Sequence, residues 1–162
     1  MSSKLSKLRI LIAAASVCAL VLVISLASIA MGSTKMTVKV VEHATNEEIV
    51  DLAPTGDSEG DIFWFANPEV YDSTDSTVIG HDQGMCFRKS VEDGAWECNW
   101  TTFLEDGQIT VEGPFYDAAD SVLAITGGTG AYRAAQGVMK LHDYVGDDDV
   151  QRYDFVFKLI LP

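Results

Sequence analysis

Positive charge is what this chain has least of. Eleven Lys and Arg stand against 24 Asp and Glu, a formal net charge of −13. Lys4, Lys7 and Arg9 take three of the eleven, so the chain from Ser33 onward carries 8 basic and 24 acidic residues, a net charge of −16. Binding phosphates requires clustered Lys and Arg, which argues against a nucleic-acid partner and against an anionic membrane surface. Charge of this sign and size serves solubility and self-repulsion. Cysteine is nearly as scarce: Cys18, Cys86 and Cys98. His43, His81 and His142 are scattered, with no Cys, His or carboxylate at ligand spacing, so no metal is expected. Asp147-Asp148-Asp149 lacks the spaced ligands of a calcium loop and reads as a solvated turn. No Gly-x-Ser-x-Gly elbow is present. The stretch Thr126-Gly127-Gly128-Thr129-Gly130 follows a strand, but Arg133 stands where a dinucleotide fingerprint has its third glycine. It reads as a glycine-rich connection, and no cofactor is expected.

Long apolar runs are confined to the N-terminus. Ile10 to Ala30 spans 21 residues without a charge, after the basic start. Basic, apolar, then small residues is the order of a signal peptide, with Ser28 and Ala30 as the −3 and −1 residues of a cut. The run exceeds the usual apolar core and reaches the roughly 20 residues of a spanning helix, so an uncleaved anchor is the alternative. Either way the basic residues stay on the cytoplasmic side. Residues 1–32 are thus expected to be a signal peptide or membrane anchor. Residues 33–162 form one domain, secreted or held at the outer face, that meets the membrane only through that segment.

The domain lacks an amphipathic helix and is rich in strand signals. Met36, Val38 and Val40 alternate with Thr37 and Lys39. Asp61 to Asn67 is a dense apolar run, and Thr77 to Ile79 a short candidate. Gln108 to Phe115, Ser121 to Thr126, Gly137 to Tyr144 and Tyr153 to Leu161 follow, separated by Asp106-Gly107, Gly127-Gly128 and Gly146-Asp147 turns. Many short strands with regular turns predict an all-β sandwich or closed barrel. Gly84 to Arg88 and Ala95 to Trp100 flank Glu92-Asp93-Gly94, the pattern of a hairpin. Centred on Glu92, it sets Cys86 opposite Cys98, within disulfide reach at about 4.5–5.5 Å between Cα atoms. An oxidising compartment closes such a bond.

Phase along these strands selects candidate site residues. Glu42 shares the face of Met36, Val38 and Val40, which sets a carboxylate on the apolar side. Such a group must be paired, neutralised or functional. The plain alternative is a strand-end carboxylate reaching water at the rim. Arg88, in phase with Cys86, is a candidate partner for it. Asn67 is in phase with Phe63 and Phe65; Trp96 and Trp100 are in phase with Cys98. These rings either fill the core or line a ligand cavity.

Four segments in order resemble the allene oxide cyclase and dirigent-like barrel family. They are Gly60-Asp61-Ile62 through Asn67 to Tyr71-Asp72; Gly84-Met85-Cys86; Gly107-Gln108-Ile109-Thr110-Val111-Glu112-Gly113-Pro114-Phe115; and Leu123 through Gly127-Gly128-Thr129-Gly130-Ala131-Tyr132 to Gly137. The resemblance implies an eight-stranded antiparallel β-barrel with an apolar lumen, assembled as a homodimer or homotrimer. Its members close reactive hydrophobic molecules into rings or steer such reactions. It also implies a catalytic glutamate at Glu42, a pocket asparagine at Asn67 and a pocket cysteine at Cys86. Ala44 stands where the plant cyclases carry a second asparagine, and no Ser-Pro pair follows Glu42. The expected function is a cyclase or isomerase that confines a lipophilic polyene or polyketide-like molecule. Glu42 and Asn67 would be catalytic, and Phe63, Phe65, Cys86, Arg88, Trp96 and Trp100 would shape the ligand site. A non-catalytic barrel binding a hydrophobic small molecule and a disulfide-stapled structural module are the alternatives.

Overall fold

The computed structural model describes residues 32–162. The signal-peptide or anchor reading of the N-terminus, and Cys18 with it, lies outside the described residues. No helix among the described residues is long and apolar enough to cross a membrane.

Ten strands follow in chain order: β1 (Thr34–His43), β2 (Glu47–Val50), β3 (Ile62–Phe65), β4 (Val70–Asp72), β5 (Val78–Ser90), β6 (Ala95–Leu104), β7 (Gly107–Tyr116), β8 (Ser121–Gly128), β9 (Gln136–Val145) and β10 (Gln151–Leu161). One 3₁₀ turn, Gly130–Tyr132, links β8 to β9. The sheet runs β4-β1-β10-β9-β8-β7-β6, and β6 pairs back onto β5, which pairs with β4. Those eight strands form a closed antiparallel ring. β3 pairs with the second half of β5, and β2 extends it. Closure removes the unpaired edges that an open sheet of this size would expose.

Alternation places the core inside. Phe155, Phe157 and Leu159 of β10 point inward, as do Met139 and Leu141 of β9, Leu123 and Ile125 of β8, and Ile109 and Val111 of β7. All are buried, while the intervening Lys140, Lys158 and Glu112 face out. The expected eight-stranded all-β barrel is the observed architecture. Two details differ from the sequence expectation. Thr77 to Ile79 does not form a separate strand, because residues 78–90 run unbroken as β5. The glycines in that stretch are close-approach positions rather than breaks: a Cβ on Gly84 would lie 2.2 Å from the Cβ of Trp100. The short strands β2 and β4 carry too few residues to show a period of two, and alternation did not reveal them.

Candidate functional site

The β5–β6 hairpin builds the inner wall. Its register pairs Asp82 with Thr102, Gly84 with Trp100, Cys86 with Cys98, and Arg88 with Trp96. The turn has Gly94 at φ +61°, a conformation glycine adopts at low cost. The ladder therefore runs from a carboxylate at one end to a guanidinium at the other. In its middle the Cys86 and Cys98 sulfurs lie at bonding distance, 2.00 Å. The missing side chain at Gly84 makes room for the Trp100 Cβ and the tip of the Phe65 ring.

Glu42 enters this wall from β1. It is not a rim residue: it is 3% exposed. Its partner is Asn67, whose Nδ2 donates to Glu42 Oε1. Asn67 is itself fixed, because its Oδ1 accepts the backbone N–H groups of Thr45 and Asn46, both at 2.9 Å. The Asn67 carbonyl in turn accepts the Asp82 N–H at 3.0 Å. This brings the Asp82 side chain against Glu42. Burial raises the Glu42 carboxyl well above its ordinary pKa, and the neighbouring Asp82 charge raises it further. Burial raises Asp82 as well. Both carboxyls are thus biased toward the neutral acid.

Glu42 faces a narrow cavity of about 30 Å³. Glu47, Phe63, Phe65, Cys86, Cys98, Trp100, Phe115, Leu141, Tyr153 and Phe155 complete the lining. That volume is well below the roughly 300–1,000 Å³ of ordinary small-molecule sites, so a ligand is admitted only as the aromatic walls move apart. The rings form a connected wall: Phe65 meets Trp100 edge-on at 5.9 Å, Trp100 meets Phe155 at 5.6 Å, and Phe115 meets Tyr153 at 6.1 Å. Burial also raises Glu47 and the Tyr153 phenol. No group of three or more His, Cys, Asp or Glu among the described residues is placed to hold a metal ion.

The structure brings Glu42, Phe63, Phe65, Cys86 and Trp100 together around the cavity, with Asn67 directly behind Glu42. Arg88 and Trp96 do not line it. The pairing of Arg88 with Glu42 is corrected: Arg88 instead binds Asp57 through two 2.8 Å hydrogen bonds and Asp117 at 2.5 Å. Its guanidinium lies 4.1 Å over the Trp96 ring, whose Nε1 donates to Asp117 at 2.7 Å. Arg88 sits three ladder rungs from Asp82 and satisfies its charge at the opposite end. Sequence reasoning missed Asp82, Glu47, Phe115, Tyr153 and Phe155. Asp82 was within reach of it, since it is in phase with Gly84, Cys86 and Arg88.

A sequence profile of the allene oxide cyclase family matches residues 37–160. Among solved structures, a pyocyanin demethylase is 26% identical with a TM-score of 0.60, covering 76% of this chain and 100% of the demethylase. A pterocarpan synthase dirigent protein is 19% identical with a TM-score of 0.65, covering 82% of this chain and 88% of its own. An exo-specific intermolecular Diels-Alderase is 21% identical with a TM-score of 0.55, covering 76% of this chain and 99% of its own. The last two share the fold with this chain.

Proposed function

The chain belongs to the allene oxide cyclase family, and on that premise we propose that it is a barrel-type cyclase or isomerase acting on a hydrophobic small molecule. The observation that carries this reading is Glu42: a buried carboxyl, biased toward its neutral form, on the wall of an aromatic cavity. A neutral acid in an apolar slot can hydrogen-bond a substrate oxygen and stabilise charge that develops there. The walls fold the substrate into a reactive conformer before the chemical step, which removes entropy from the barrier. Asn67, with its oxygen committed to two amides, supports the reading by holding Glu42 in one orientation. The Diels-Alderase with this fold is consistent with ring closure by confinement.

A second reading is non-catalytic binding of a flat ring system. The narrow slot between rings favours it, and the similar protein named a pyocyanin demethylase supplies a first molecule to try. The two readings separate in one experiment. Small molecules captured by the Glu42→Gln barrel are extracted and returned to the wild-type protein. Ring closure conserves mass, so a cyclase produces a compound of equal mass and altered chromatographic retention. We expect that conversion with the wild type and at least about a hundredfold less with Glu42→Gln. Unchanged ligand after prolonged contact with the wild type would favour the binder, with pyocyanin the first defined probe for titration.

A further inference from the structure

Among the described residues, every buried side-chain polar atom without a hydrogen-bond partner belongs to Asp82, Trp100 or Thr102. The three share one patch of inner wall. Asp82 and Thr102 are directly paired across β5 and β6, and Trp100 lies two residues along from Thr102 on the same face. Asp82 is the most demanding of the set. It is 1% exposed, and both of its carboxyl oxygens lack a donor. An ionised carboxylate in that position would leave several lone pairs unsatisfied in an apolar barrel.

The surroundings offer no cation to neutralise it. The titratable groups that face the Glu42 and Asp82 pair are Glu47 and Tyr153, which add negative charge or none. The neighbouring polar side chains are Asn67 and Thr102. His43 is taken by Asp75, and Arg152 by Asp148 and Asp75. Arg88 is engaged with Asp57 and Asp117. Two carboxyls pressed together without a cation do not both ionise. A single proton between them converts repulsion into a strong O–H···O contact. It also gives one of the two Asp82 oxygens the partner it otherwise lacks.

We propose that Glu42 and Asp82 hold one proton between them, and that Asp82 is the positioning residue that sets the ionisation and orientation of Glu42. Asp82 does not line the cavity, so Glu42 alone meets the ligand. The shared proton can move fully onto Glu42 when a substrate oxygen accepts a hydrogen bond from it, leaving the negative charge on Asp82, and it returns to its place between the two when the product leaves. This deepens the function proposed above and rests on it for its catalytic meaning.

The test is a titration of the full chain followed through ¹³C-labelled side-chain carboxyls, in the wild type, Asp82→Asn and Glu42→Gln. The amide spectrum of each variant reports its folding. In the wild type, one proton should remain on the pair near neutral pH. In Asp82→Asn the like charge is replaced by an amide that can donate to Glu42. The last proton should therefore leave at least about one pH unit lower, a tenfold rise in ionisation constant. Glu42→Gln should lower the Asp82 midpoint in the same sense. Two carboxyls that both ionise in the ordinary carboxylate range in the wild type would overturn the proposal, as would a Glu42 midpoint unmoved by Asp82→Asn. The wild-type titration stands even where a variant fails to fold. No substrate enters the measurement, so a failure of ring closure and a failure of the shared proton are read separately.

Discussion

Glu42, Asp82 and Glu47 are raised in the folded state by burial, while Asp61, Asp72 and Asp148 are depressed. The causes of depression are hydrogen bonds: the Leu52 and Ser58 amides at Asp61, the Thr74 hydroxyl and Ser76 amide at Asp72, and the Arg152 guanidinium at Asp148. The two sets have opposite consequences. A depressed carboxyl stabilises the fold above its unfolded pKa and loses that contribution as pH falls through the folded value. A raised carboxyl contributes fully below its unfolded pKa, and the contribution fades as pH rises through the folded value. The fold is therefore expected to be most stable in mildly acid solution and to weaken toward neutral pH. Glu42→Gln should flatten that decline. Urea midpoints measured across a pH series check both statements, and a wild-type midpoint that climbs through neutral pH would contradict the first.

At the scale of the element, the β5–β6 hairpin carries most of what the site needs. Its symmetry about Glu92 was legible in the sequence, because a turn with Gly94 and two flanking apolar runs fix the register. The Cys86–Cys98 pairing follows from that register. Joining residues 12 apart should stabilise the fold by roughly 3 kcal/mol. Comparing urea unfolding of the oxidised chain with that of the Cys86→Ser, Cys98→Ser double variant measures this. Titratable thiols at Cys86 and Cys98 in the native chain would contradict it. The same hairpin shows where reading the sequence stopped. Glu42 was found through its phase on β1, a strand long enough for alternation to register. Asp82 has the same phase signal on β5, but the stretch between Ile79 and Gly84 did not read as strand, so its inward direction passed unnoticed. Glu47 belongs to a four-residue strand with no legible period. Asp57 and Asp117, the partners of Arg88, come from loops. Residues 57, 88 and 117 meet through the β5–β6–β7 meander and the pairing of β3 with β5, and no local pattern in the loops that carry Asp57 and Asp117 announces it.

For the whole molecule, closure sets both the shape of the cavity and the order of contacts along the chain. Most neighbouring strands in the ring are also neighbours in sequence: β5 with β6, β6 with β7, β7 with β8, β8 with β9, and β9 with β10. Two pairs depart from this: β1 pairs with β4, and, at the longest range, β1 pairs with β10 along a seam that joins Thr34 to Leu161. Bringing such distant segments together is an entropic penalty incurred before any contact between them forms. The seam also puts residues 34 and 161 side by side. A short linker between them, with new ends opened in the exposed loop between Val50 and Ile62, would turn the longest-range contact of the barrel into a hairpin. Such a permutant should keep the cavity and refold faster than the parent in stopped-flow experiments, and an equal or slower rate would argue that the seam does not limit folding. Seen this way, the barrel is a nearly cyclic object whose sequence has been cut at one seam, and the position of that cut affects how quickly the pocket assembles more than what the pocket contains.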